Sequence, residues 1–202
     1  VKRKATGSER AGTRERVLEV ATALMQERGY QGFSFLDVAR SVGVSHVAVH
    51  HHFPSKADLG AAAMADYTAR FEAQLARIDE AKPTPRRALE AFVDLFSATL
   101  SGSKRVCLCG MLTAELPALP ASVRREVRRF YAVNEAWLAE RIRGLHPAAA
   151  SPNALAEAFL ALLEGSMMTS RAFDDSARLS VAAAWFLDAL SSPPRKASSR
   201  RR

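Results

Sequence analysis

The stretch Phe35-Leu36-Asp37-Val38-Ala39-Arg40-Ser41-Val42-Gly43-Val44-Ser45-His46-Val47-Ala48-Val49-His50-His51-His52-Phe53-Pro54-Ser55-Lys56-Ala57-Asp58-Leu59 decides the fold. Ser34, just upstream, stands three residues before Asp37, the spacing of a capping box at a helix start. The short helix that follows turns Phe35, Val38 and Ala39 inward and ends at Val42-Gly43-Val44, where glycine permits a turn that a side chain resists. Ser45 caps a third helix over His46 to Phe53, Pro54 breaks it, and Ser55 caps a longer helix starting near Lys56. Two short helices about a glycine-centred turn form a helix-turn-helix.

Upstream, Val17, Val20, Ala21 and Leu24 recur at helical spacing, predicting a helix from about Thr13 to Arg28 that Gly29 stops. Downstream, Leu89, Phe92, Val93, Phe96 and Leu100 make one apolar stripe beginning after Pro85. A long helix near 122–143 gathers Val123, Val127, Phe130, Tyr131, Trp137, Leu138 and Ile142 and turns Arg124, Arg125, Arg128 and Arg129 outward. Two more helices are expected over about 152–173 and 176–190. The chain is 202 residues long and 48% hydrophobic, with no runs of alternating β-branched residues. It therefore reads as all-α: a three-helix helix-turn-helix domain, then a helical domain for ligand binding and dimerisation. The expected divisions are a basic flexible arm over 1–10, the helix-turn-helix domain over 11–58, the helical domain over 59–191, and a basic disordered tail over 192–202.

A formal net charge of +8 favours an anionic partner such as nucleic acid. Part of the excess lies at the ends, in Lys2, Arg3 and Lys4 and in Arg195, Lys196, Arg200, Arg201 and Arg202. No apolar run reaches the roughly 18 residues of a membrane span, and no apolar segment follows the basic start as in a signal peptide. A soluble, cytoplasmic protein is expected. The two cysteines, Cys107 and Cys109, are too few and too close for a disulfide scaffold.

The helix-turn-helix stretch closely resembles the DNA-binding domain of the tetracycline-repressor (TetR) family. The resemblance rests on Val38-Ala39, Gly43-Val44-Ser45, His50 to Phe53, Pro54-Ser55-Lys56 and Leu59. It implies that the third helix enters a major groove of double-stranded operator DNA with its N-terminal residues nearest the base edges. Ser45, His46, Val47 and Ala48 lie at that end: His46 suits hydrogen bonding, while Val47 and Ala48 suit a thymine methyl. Val49 and Phe53 fall on the core side. His50 stands where relatives often have a phosphate-contacting tyrosine, with His51 beside it. Lys56 resembles the family's backbone-pinning lysine, and Ser34 would bring a helix N-terminus and a hydroxyl to phosphate. Three consecutive histidines invite a metal reading, but neighbours on a helix point about 100° apart and cannot chelate one ion; no metal or cofactor is expected.

The resemblance further implies a homodimer through the last two helices, whose small residues Ala158, Ala161 and Gly165 permit close approach. It also implies an effector pocket within the C-terminal helices, for which Phe92, Phe96, Met111, Tyr131, Asn134, Trp137, Glu164 and Met168 are the candidates. Asn134 falls within an apolar stripe, so its amide needs partners if buried. The segment from Arg105 to Glu115 is similar to one found in some family members, where a cysteine senses electrophiles or oxidants. Cys107 takes that position, although Val106 replaces the usual glycine. Lys104 and Arg105 could lower its pKa, while Cys109, two residues on, projects to the opposite side of a helix and cannot pair with it.

These features lead to a repressor released from its operator by a small molecule, an electrophile or modification of Cys107. A helical enzyme is the first alternative, but the chain has no phosphate loop, nucleophile elbow or metal-spaced cluster. A non-specific architectural DNA binder is the second, and the well-formed helix-turn-helix argues against it.

Overall fold

The computed structural model describes residues 7–103, 105–146 and 151–191. The basic segments 2–4 and 195–202, and Lys104, lie outside the described residues. Among the described residues the fold is all-α, as the patterning requires. The first helix, α1, spans Gly7–Arg28, so it begins at Gly7 rather than near Thr13 and takes in part of the stretch expected to be an arm. Ser8 to Gly12 contains no proline, and the cost of Gly12 inside the helix, about 1 kcal/mol, is too small to stop it. Helix α2 (Phe35–Val42) and helix α3 (His46–His52) complete a three-helix head. Gly43 closes α2 in the left-handed region, with φ 77° and no atom within 4 Å of a Cβ placed there.

Helix α4 (Lys56–Glu80) leads out of the head and, with α1, forms its junction to the rest of the chain. Its buried side includes Leu59, Ala63, Met64, Phe71 and Leu75. Helix α5 (Pro85–Ser103) follows, then a short helix α6 (Leu108–Ala114), with a 3-10 turn at Leu116–Ala118. The long α7 (Ala121–Leu145), α8 (Pro152–Phe173) and α9 (Ala177–Ser191) complete the body. Burying phenylalanines such as Phe92, Phe130 and Phe159, each fully enclosed, contributes about 1.5–3 kcal/mol apiece.

An aromatic cluster fills the middle of the body: Phe71 meets Phe92, Phe96 and Phe130 edge-on at 5.3–6.0 Å. Helices α8 and α9 lie together, with Phe159 and Phe186 stacked at 4.6 Å. Arg86 ties α5 to α9 through Asp188 at 2.7 Å and the carbonyl of Leu187 at 3.3 Å. The opposite side of this helix pair has no cover from the other described residues. Ala158, Ala161 and Gly165 are exposed there, as are Met168, Phe173, Val181 and Trp185, the last at 69%.

Candidate nucleic-acid interface and effector-responsive body

The starts of α2, α3 and α4 are each built by a serine. Ser34 accepts from the backbone N–H of Asp37 at 3.3 Å and donates its own hydroxyl to the Asp37 carboxylate at 2.6 Å. That bond, with the backbone bond from Ser34, holds the Asp37 carboxyl below the usual carboxylate range. The Ser34 hydroxyl is thus engaged in the box, and what α2 offers a phosphate is backbone rather than that proton. Ser45 caps α3 by accepting from Ala48 N–H at 3.2 Å, and Ser55 and Asp58 repeat the full capping box at α4.

Val49 is wholly buried and Phe53 nearly so, which pins the inner side of α3 to the head. The outer side carries His46, Val47 and His50, all exposed, with Val47 at 74%. A single exposed valine is ordinary on a protein surface, and at this position it suits contact with a base methyl group. His46 and His50, one turn apart, lie 4.5 Å apart and both meet Phe35, at 6.1 and 4.5 Å. His51 is exposed and neighbours His52 rather than this pair. Ala48 is partly covered. Among the described residues no three histidine, cysteine or acidic side chains gather as metal ligands.

Lys56 is more enclosed than a free phosphate anchor. Its ammonium donates to the Phe33 carbonyl at 2.6 Å and sits over the rings of Tyr30 and Phe33 at 4.8 and 4.6 Å. Burial lowers its pKa, against the pull of Glu115 and Asp37. An ammonium has three donors, so the lysine can bind the head together and still reach a phosphate. Two arginines carry basic charge beside the third helix without a sequence signal that singles them out. Arg14 lies over the Phe53 ring at 5.3 Å, and Arg16 donates to the Val42 carbonyl.

The C-terminal end of α1 is gripped from the body at several points. Gln26 donates to the Val106 carbonyl at 2.9 Å, and Arg105 pairs with Glu27 at 2.6 Å. Arg171, from α8, donates to the carbonyls of Gln26 and Glu27 at 3.4 and 3.3 Å, placing a cation at the negative end of the helix dipole. Glu115 accepts the N–H of Gln31 at 3.0 Å. Its carboxylate passes so close to Gly29, whose φ is 77°, that a Cβ there would lie 1.7 Å from Oε1. Glycine is required at 29 on both counts.

The eight pocket candidates are not brought together in one cavity. Phe92 and Phe96 are core; Trp137 stacks on Phe92 at 5.6 Å and donates to Asp79 at 3.1 Å. Met168 is 41% exposed on α8, whereas Met111 is half-buried and faces Arg171. Asn134 is buried as its position suggests. Its Nδ2 donates to the Phe130 carbonyl at 2.7 Å, while Oδ1 has no partner among the described residues. Glu164 is also buried, and neither carboxyl oxygen has a nitrogen or oxygen donor among the described residues. Burial raises its pKa to about 7, with the Cys107 thiol as a weak donor in its favour. Tyr131 meets the Thr113 hydroxyl at 3.1 Å near this group.

Cys107 and Cys109 are both buried. Tyr67 donates to the Cys107 sulfur at 3.7 Å, and the Cys109 thiol to the Val127 carbonyl at 3.6 Å. Burial first, then the nearby Glu164, pushes both thiols well above their ordinary range. The suggested help from Arg105 is not found, because that guanidinium is turned to Glu27.

A larger opening lies elsewhere: a cleft of about 490 Å³ between α1, α4 and α5, with Val20, Thr22, Phe71, Leu95 and Arg105 among its walls. None of the eight candidates lines it.

A helix-turn-helix head with an exposed reading side, clamped to an all-helical body, defines a DNA-binding transcriptional regulator. Residues 17–63 match the family described as bacterial regulatory proteins, tetR family. Residues 85–185 match the C-terminal domain of LmrA/YxaF-like transcriptional regulators. The chain is 31% identical over 148 residues to the HTH-type transcriptional regulator CymR of Pseudomonas putida, covering 69% of this chain and 71% of that protein. It is 27% identical to the HTH-type transcriptional repressor DhaR of Mycobacterium sp. (strain GP1), covering 64% and 63%. A TetR-family regulator from Agrobacterium tumefaciens superposes with a TM-score of 0.86 at 28% identity, over 91% of this chain and all of that one. The chain belongs to the TetR family of ligand-responsive, DNA-binding transcriptional regulators, and it is not an enzyme. No helix among the described residues is long and apolar enough to cross a membrane.

Proposed function

We propose that the protein is a homodimeric repressor whose two α3 helices read successive major grooves of a palindromic operator, and whose body releases the DNA when a small molecule alters the spacing of the heads. Val47, His46, Ala48 and Ser45 face the bases; His50, His51, Lys56 and the α2 start at Ser34 face phosphates. The observation that carries the release mechanism is the four-point grip on the end of α1 by Val106, Arg105, Glu115 and Arg171. A head held this way turns with the body, so a ligand that binds one body arrangement better shifts the heads. Linkage then makes operator and effector weaken each other equally.

The exposed apolar side of α8 and α9 supports a dimer through those helices, since a patch of that kind ordinarily marks an interface. The unsatisfied Glu164 carboxyl and Asn134 carbonyl support an effector contact in the α6–α8 region, because buried polar groups ordinarily find partners. Release by modification of Cys107 requires the packing around it to open first, which makes it the slower route.

Fluorescence anisotropy of a labelled duplex from the promoter beside its own gene, with excess random competitor, tests the reading. Wild-type protein is expected to bind tightly and Val47→Asp to lose the site while keeping its helicity. Equal binding by both contradicts it.

A further inference from the structure

We propose that the cleft between α1, α4 and α5 is a binding site for a small organic anion, a carboxylate carried on an aromatic or branched alkyl body. Its size, about 490 Å³, lies within the range of small-molecule pockets. Val20, Phe71 and Leu95 give it an apolar wall, on which a ring or branched chain can rest. The polar wall is rich in donors.

Arg70 and Arg105 add two guanidiniums to the same lining, against one carboxylate, Glu19. Each arginine already meets an acid, Arg70 with Asp66 and Arg105 with Glu27, both at 2.6 Å. Those acids are not part of the lining. A guanidinium has five N–H donors, so one acid leaves others to serve a ligand carboxylate.

The position of the cleft gives the site a consequence. Its α1 wall belongs to the head, whereas the α4 and α5 walls and Arg105 belong to the body. A bound carboxylate shares the Arg105 guanidinium with Glu27, draws part of its charge away from that pair, and so weakens one of the four grips on the end of α1. Binding itself does not depend on the repressor reading; only the effect on DNA does.

Isothermal titration calorimetry of the full chain with benzoate and isovalerate, against benzamide and benzylamine, tests the site. At least one of the two carboxylates is expected to bind saturably, and the neutral and cationic probes about tenfold more weakly or worse. Arg105→Gln and Arg70→Gln are each expected to weaken the carboxylate about tenfold. Ala23→Phe, which fills the cleft, is expected to abolish binding; melting curves report whether each variant folds. Equal binding of carboxylate and amide, no binding of either carboxylate, or unchanged affinity in folded variants overturns the proposal. In parallel, operator anisotropy should show the carboxylate raising the Kd for DNA in wild type but not in Ala23→Phe. Carboxylate binding with the expected variant pattern and no change in DNA affinity supports the site and overturns its coupling. Failure of the protein to prefer any duplex refutes the repressor reading and leaves the calorimetry to decide the site.

Discussion

Replacing Glu164 with glutamine should change how stability depends on pH. The carboxyl is buried without a nitrogen or oxygen donor among the described residues, and its pKa stands at about 7 against an ordinary 4.5. The groups around it are the Cys107 and Cys109 thiols and the Tyr67 and Tyr131 hydroxyls, all pushed up and neutral near pH 7. A carboxyl whose pKa is raised on folding holds its proton in the folded state after the unfolded chain has released it. Its contribution is therefore full below pH 4.5 and is lost as pH rises to about 7. A difference of about 2.5 pH units, at about 1.4 kcal/mol each, gives about 3–4 kcal/mol lost over the whole titration. Glutamine cannot ionise, so Glu164→Gln should gain about 2–3 kcal/mol on wild type between pH 5 and pH 8, whatever constant offset the amide introduces. Urea unfolding followed by circular dichroism at both pH values, at one fixed protein concentration, measures this. A wild-type minus variant difference that stays constant with pH refutes the reasoning, because it would mean the carboxyl is solvated or paired after all.

Gly29 and Gly43 share a φ of 77°, but only Gly29 faces the Glu115 carboxylate. Gly43→Ala should cost about 1 kcal/mol for its backbone alone, and Gly29→Ala clearly more, with faster hydrogen exchange at Gln31; equal costs would contradict the assigned grip. Trp185→Glu should turn the dimer into a monomer in sedimentation velocity and abolish operator binding, while a variant that stays dimeric would remove α9 from the interface. Cys107 in the native protein should react with a thiol reagent about a hundredfold or more slowly than in the denatured chain. A native rate near the denatured one would restore direct sensing.

The head was legible almost residue by residue because its signals are local. Ser34, Ser45 and Ser55 each cap the helix that they were expected to start, and Gly43 takes the left-handed conformation that the turn requires. Val49 and Phe53 followed from helical period alone. In the body, helical period located α5, α7, α8 and α9, but not which of their residues meet. Phe92, Tyr131 and Met168 look alike as pocket candidates in sequence; they are respectively core, a half-buried hydrogen-bonding group and surface. The cleft is walled by Val20, Thr22 and Arg70, whose neighbourhood arises only when α1 packs on α4. Arg105 shows the same limit: its nearness to Cys107 in sequence suggested a thiolate partner, and tertiary packing turned it to Glu27 instead. The grip of Arg171 on the end of α1 joins residues 145 and 144 positions apart in the chain, beyond any local pattern.

The central claim is that the exposed side of α3 reads a specific operator as one half of a two-fold pair. Selection of bound sites from a pool of random duplexes, using the full chain at physiological salt, tests it most directly. The account predicts an enriched palindrome whose half-sites are separated by about one helical turn or a multiple of it, and loss of that enrichment in Val47→Asp. A pool that stays random, or a site that Val47→Asp selects equally well, would contradict it.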